Sequence, residues 1–449
     1  MVYFFGILIS LTAGFLLIRL LAAGRLNPIL HILLALGLGL GIDGTATFYT
    51  HILLDQFNRW IPIALVLLSV LILYFVRIPS PSDLTIAKKK KTVTAQQIIP
   101  SIKIDHGWGL LTLGLLAIPL AIGAYHFPLG GWDAWSCWNL KAKFIFLGAE
   151  NWKDILSPGL WRSNTHYPLL WPLINVWFWD LGGRFDQVVP MFNSIIIALL
   201  TAGILLFGLL ELTGSLLSSI AAAIIVTAIP FGVTLSVSQY SDTLLGLYLL
   251  SALMCLLLAE KYNLPKLKIL SMLFLGLMSF TKNEGMIAAF IVALSLLWHE
   301  RTHKKELKIL FFTFLLACLP TIIFTLLFAP KNEAFINGLV SSEKPTNLAR
   351  ICVILAYPWF EFISGKWNGF WLLALGGILL AGKKLWQSSL GMIGLSLILY
   401  LGVVLTYYAV NTFFEIGWWL STTLSRILFA LIPTIALWIG LGLIKTKAS

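Results

Sequence analysis

Long apolar runs separated by short basic loops set the pattern of this chain. Many runs approach or exceed the roughly 20 residues a helix needs to cross a bilayer. They do not alternate apolar and polar residues, as the strands of a membrane barrel would. Backbone groups within lipid must be satisfied inside the segment, so the runs are predicted to be helices. Spans are predicted near 2–22, 28–46, 60–77, 108–125, 189–211, 215–235, 243–260, 266–281, 285–298, 308–328, 368–382, 388–410 and 427–444, about thirteen in all. Met1 to Ile18 lacks a basic leader and continues into more apolar sequence, so it reads as the first span and not as a cleaved signal.

The basic residues fix an expected orientation. They cluster at Arg19/Arg25, Lys88–Lys91, Lys261/Lys266/Lys268, Arg301/Lys304/Lys305, Lys383/Lys384 and Lys445/Lys447. Placing all six clusters in the cytoplasm puts the N-terminus outside and the C-terminus inside, in a plasma membrane of the bacterial inner-membrane type. "HYPLLWPLINVWFWDLGG", His166 to Gly183, strains that count. If it crossed, every later basic loop would change sides. It is therefore expected to lie in, or dip into, the outer interface, with its tryptophans at headgroup level.

Two units follow from this pattern. Residues 1–107 read as a three-span unit with a basic cytoplasmic linker, and residues 108–449 as the main membrane core. Outer segments run over 125–187 and 330–367. Pro79 to His106, with its lysine run and Ser-Pro breaks, has the composition of the linker.

Composition agrees. The chain is 59% hydrophobic and 11% charged, where soluble domains are about a quarter charged. Its net charge of +12 comes from loop lysines, which orientation explains, so nucleic acid is not an expected partner. Membrane lipids are. Cys137 and Cys352 both fall outside under this topology, which leaves a disulfide open; two lone cysteines are more often unpaired.

Ionisable residues at or in the membrane are costly and point to function. Asp133 follows the fourth span. "SQYSD" (Ser238–Asp242) lies between the sixth and seventh, "FTKNEG" (Phe280–Gly285) between the eighth and ninth, and "STTLSR" (Ser421–Arg426) opens the last. All four clusters face the same compartment. Each has a plain alternative: Asp133 and Asp242 as helix caps, Lys282 and Glu284 as a polar turn, Arg426 as a snorkelling side chain. Their coincidence on one face favours a site. Trp135, Trp138, Ala142 and Ile145 have helical spacing, which suits a short helix lying on the membrane with Lys141 and Lys143 on its flanks. His166 more often marks a helix entry than a metal ligand.

The ordered set of Asp133, "HYPLLWPL", "SQYSD", "FTKNEG" and an arginine seven residues before a proline ("SRILFALIP") resembles the C-type (GT-C) membrane glycosyltransferases. "GWDAWSCWNLKAKFIF" and "TKNEG" are most similar to the bacterial relatives of the protein O-mannosyltransferase and aminoarabinose transferase group. The likeness covers about residue 108 to the end. Two departures stand out. Asp133 is followed by Ala134, where the mannosyltransferases carry adjacent acids, and three extra spans precede the aspartate loop.

The resemblance implies an all-α GT-C fold with outer-face interfacial helices in the first large loop. It implies transfer of a sugar from a polyprenyl-phosphate donor to an extracytoplasmic acceptor (protein, lipid or glycan), with inversion. Asp133 is then the candidate general base. Lys282 and Arg426 would hold the donor phosphate, with Lys141 and Lys143 in reserve. Asp242, Glu284, His166 and Tyr167 would contact sugar or acceptor. A divalent ion stays open, since Asp242, His166 and Glu284 offer ligand atoms without a recognisable spacing. The competing reading is a transporter or flippase. That class binds its cargo near the midplane between repeated halves, and no such halves are visible here.

Overall fold

The computed structural model describes residues 2–22, 24–54, 60, 64, 106–340 and 348–444. Among these the chain is helical, without a β-strand. In order the helices are α1 (Val2–Ala22), α2 (Pro28–Leu54), α3 (His106–His126), α4 (Asn139–Leu147), α5 (Leu170–Gly182), α6 (Val188–Thr213), α7 (Leu216–Thr227), α8 (Pro230–Val237), α9 (Ser241–Tyr262), α10 (Lys266–Ser279), α11 (Asn283–His299), α12 (Lys304–Ala317), α13 (Leu319–Ile323), α14 (Glu333–Val340), α15 (Leu348–Ile363), α16 (Phe370–Ala381), α17 (Ser388–Val410) and α18 (Ile416–Leu443).

Seven of these are long and apolar enough to cross a membrane, or up to nine if each of two bent pairs forms one span. The protein is thus an all-α polytopic membrane protein; a count of thirteen is not established. Several expected spans are shorter, because α10, α11 and α16 have 14, 17 and 12 residues. The expected span at 215–235 bends by 72° between α7 and α8. Pro230 opens α8; a proline is well suited to the first helical position and cannot continue the helix before it. The span at 308–328 bends by 46° where α12 meets α13. The expected span at 60–77, apart from residues 60 and 64, and the lysine run at 88–91 lie outside the described residues.

α9 is the axis of the bundle. Its apolar window is wholly buried, with α10, α18 and α6 packed around it. A helix that is apolar on all sides belongs inside the protein. α1 and α2 form a tight hairpin. A Cβ on Gly39 would sit 1.7 Å from the carbonyl oxygen of Ser10, and one on Gly14 would sit 1.9 Å from that of Ala35. Small residues let the backbones touch, which is how helices associate where lipid supplies no hydrophobic drive.

α5 corrects one expectation. At 13 residues it is about 20 Å long, too short to span. It does not lie on the outside of the bundle either. Every residue from Leu170 to Trp179 is buried, enclosed by α1, α2, α4 and α6. Trp171, Trp177 and Trp179 pack into protein and are covered by it, so they do not face lipid. The α1–α2 hairpin supplies that cover.

α4 corrects a second. Trp138, Ala142 and Ile145 face the protein core. Trp132 and Trp135 remain exposed, at 67% and 49%, with ring centroids 4.3 Å apart. The last helix also starts earlier than the expected 427. Glu415 accepts bonds from the Gly417 and Trp418 amides at 2.8 and 2.6 Å, capping the first turn. Ser421 to Arg426 therefore lie within α18 and not in a loop before it. Cys137 is buried, Cys352 is exposed, and both are free thiols.

Candidate active site

The loop before α4 carries Asp133. Gly130 turns it at φ +73°, and a Cβ there would meet the Ser238 carbonyl oxygen at 2.6 Å. Only glycine fits this close approach. Asp133 begins a π-helical turn, Ala134–Trp138, yet its side chain makes no capping bond. It reaches across the bundle: Arg426 Nη1 donates to Asp133 Oδ2 at 2.5 Å.

Arg426 holds a second carboxylate. Its Nε and Nη2 donate to Asp242 Oδ2 at 3.1 and 2.7 Å. Lys282 Nζ donates to Asp242 Oδ1 at 3.1 Å and lies 3.4 Å from Glu284 Oε1. The five side chains form one alternating file: Asp133, Arg426, Asp242, Lys282, Glu284. Four distant segments supply it. The middle is dry and the ends are more open, with side-chain exposures of 28, 14, 3, 6 and 21% along the file. Asp242 is the buried counter-ion of both cations. Asp133 and Glu284 are the more exposed ends, and Glu284 Oε2 is itself buried without a hydrogen-bond partner among the described residues.

Aromatic rings floor the file. The Arg426 guanidinium sits 4.5 Å from the Tyr240 ring centroid, and Lys282 Nζ lies 5.8 Å from that of Tyr167. Such rings favour a cation without adding negative charge. Burial raises both tyrosine hydroxyls above their usual range, so they stay protonated.

The other candidates are placed differently. Lys141 is fully buried and donates to the carbonyls of Asn164 and Tyr167 at 2.6 and 3.5 Å. It stitches down the turn that presents His166 and Tyr167, and burial lowers its pKa. Lys143 is exposed over the Phe185 ring. It sits over that ring and not on a member of the file. His166 packs edge-on to Tyr167; burial and the nearby Lys141 charge bring its pKa down to about 4, leaving it neutral at pH 7. Among the described residues no three His, Cys, Asp or Glu side chains converge as a metal site would require. Within the file, cations separate the acids.

Below the file, between α9, α11, α17 and α18, a small apolar cleft of about 10 Å³ is lined by residues including Leu249, Ala288, Val292, Tyr400 and Leu431. Leu249, Ala288 and Leu431 continue the same helices past Asp242, Glu284 and Arg426. The cleft therefore lies directly deeper along the bundle.

A second buried ion pair escaped the sequence reading. Glu361 accepts from Trp367 Nε1 at 3.0 Å and Ser425 Oγ at 3.1 Å, and pairs with Lys366 at 2.9 Å. This braces α18 one residue before Arg426. Nothing local marks Glu361, which sits in the amphipathic helix α15 among apolar neighbours.

Residues 167–324 match the family model described as dolichyl-phosphate-mannose-protein mannosyltransferase. The matched stretch carries Tyr167, Asp242, Lys282 and Glu284; Asp133 and Arg426 lie outside it. No curated protein and no solved structure matches the chain. With the many apolar helices, the family match supports a polytopic membrane glycosyltransferase of the GT-C type.

Proposed function

We propose that this glycosyltransferase moves a sugar from a polyprenyl-phosphate donor to an acceptor on the extracytoplasmic face, with inversion. The contact between Asp133 and Arg426 carries the proposal. It sets a carboxylate beside a cation that grips two acids at once. In an inverting displacement the acceptor oxygen attacks the anomeric carbon and its proton passes to Asp133. The bond from that carbon to the phosphate oxygen breaks, and the electron pair leaves with the lipid phosphate. Arg426 and Lys282 neutralise the charge that develops, and fixed cations act most strongly where water is excluded. Arg426 Nη1 is engaged by Asp133. An arriving phosphate competes for that donor and releases the carboxylate to act as base.

Three observations support the details. The helix faces directly beneath the cations are apolar, so isoprene units of the donor that part them meet few polar groups, although the cleft there, at about 10 Å³, is too small to hold a unit as it stands. The basic ends of α9, α10 and α11 (Lys261, Lys266 and Arg301) lie at the opposite helix ends from the file. For α9 that separation is some 30 Å. Basic loops favour the cytoplasm, so the file belongs to the outer side. Third, Asp133, Asp242, Lys282 and Glu284 gather at helix ends, with Arg426 reaching them from about 15 Å inside α18, and no repeated halves frame them, which favours an enzyme over a transporter.

The test is transfer itself. The purified chain in lipid nanodiscs is given a short-chain polyprenyl-phosphate mannose, with water or a hydroxylated peptide as acceptor. Release of polyprenyl phosphate together with sugar of inverted anomeric configuration is expected. Retained configuration, or turnover of nucleotide sugars only, contradicts the proposal.

A further inference from the structure

Three consecutive residues before α9 all bond to the aspartate loop. The Ser238 carbonyl accepts from the Gly131 amide at 3.0 Å. Gln239 Nε2 donates to the Pro128 carbonyl at 3.0 Å. The Tyr240 hydroxyl accepts from the Asp133 amide at 3.3 Å. Two residues past this zipper's end lies Asp242, the partner of Arg426. The loop that presents Asp133 and the helix that presents Asp242 are thus fastened to each other before any ion pair forms.

Gln239 is the centre of that fastening. It is fully buried, and its backbone stands at φ +61°, a region that residues other than glycine seldom occupy. Such strain persists where surrounding contacts over-determine it, and it gathers at functional sites. Those contacts continue inward as a file of amides. Asn139 Nδ2 donates to Gln239 Oε1 at 2.7 Å, Asn175 Nδ2 to Asn139 Oδ1 at 3.4 Å, and Asn193 Nδ2 to Asn175 Oδ1 at 2.8 Å. Tyr3 closes the file with a 2.9 Å bond to Asn193 Oδ1. Each amide gives with its nitrogen and receives with its oxygen, so all are oriented one way. The plain alternative is a set of satisfied core amides. That alternative explains the pairing but not the strained backbone, nor why the file ends on the loop carrying Asp133.

We infer that Gln239 is a positioning residue for the transfer reaction. It is held by the Asn139–Asn175–Asn193 file to α1, and it sets where Asp133 stands relative to Arg426 and Asp242. The inference rests on Asp133 being the base. It also gives the N-terminal hairpin a role, as the far anchor of the site.

Gln239→Leu keeps the volume and removes both bonds. In nanodiscs kcat is expected to fall about 10²-fold, the scale of an ångström-sized misplacement, with donor KM within about twofold. In an Asp133→Asn background the same change should cost less than about twofold more, because residues acting through one group are not additive. Equal losses in both backgrounds, or an unchanged kcat, overturn the inference. Should Gln239→Leu not fold, Gln239→Glu serves. It keeps the acceptor for Asn139 but lacks the donor to Pro128 until protonated. Its kcat relative to wild type should recover as pH falls, and a flat ratio counts against the role. Hydrogen exchange at the Gly131 and Asp133 amides reads the loop with no turnover, and it should quicken in either variant that lacks the donor. Full transfer by Asp133→Asn removes the base assignment alone. Unchanged exchange removes the positioning role whatever Asp133 does.

Discussion

One guanidinium, that of Arg426, holds Asp133 on Nη1 and Asp242 on Nε and Nη2. Neither lysine nor an amide can reproduce that grip. Arg426→Lys keeps the charge but loses the fork. Transfer is expected to fall about 10²-fold in kcat/KM, with donor KM raised, since phosphate loses paired hydrogen bonds. Steady-state kinetics with the short-chain donor read this directly. An unchanged KM would place the phosphate elsewhere.

Asp242 is a different kind of residue. Both of its oxygens are taken by cations, and its side chain is 3% exposed. Asp242→Asn leaves two buried cations without their shared counter-charge. Breaking such a pair costs about 3–5 kcal/mol. The variant should lose thermal stability in detergent as well as activity, unlike Asp133→Asn.

His166 sets a pH dependence of stability. Its folded pKa is about 4, against 6.5 for an ordinary histidine. Between those values the unfolded chain binds a proton that the folded chain refuses, so stability falls as pH drops from 6.5 towards 4. The full effect is on the order of 3 kcal/mol. In thermal melts across that range wild type should lose stability relative to His166→Gln as pH falls if His166 is responsible. Parallel curves would mean that another group titrates.

The α1–α2 hairpin offers a structural test. Gly39→Val places a Cβ against the Ser10 carbonyl and must separate the two helices. Phe48 of α2 packs on Phe280 at 5.1 Å, two residues before Lys282. Loss of the hairpin should therefore lower both melting temperature and transfer. Melting and activity measured on the same preparation check this.

The sequence exposed the site better than the architecture. Asp133, Asp242, Lys282, Glu284 and Arg426 were legible because a charge in an apolar chain has few reasons to be there. Their convergence followed from topology alone. The interior was less legible. The tryptophans of α5 carry the pattern of an interfacial helix, and only the cover of α1 and α2 shows them to be core. Lys141 looked like a free flank charge because its partners, two backbone carbonyls, leave no trace in the sequence. Gln239 and Glu361 are single polar letters whose partners lie 100 and 64 residues away. No local pattern announces such pairs.

The most direct test is Asp133→Asn, an isosteric change that removes the base and leaves both cations. Transfer from a short-chain polyprenyl-phosphate sugar is expected to fall by about 10²–10⁴-fold, while equilibrium binding of the donor persists. Transfer at the wild-type rate would contradict the account.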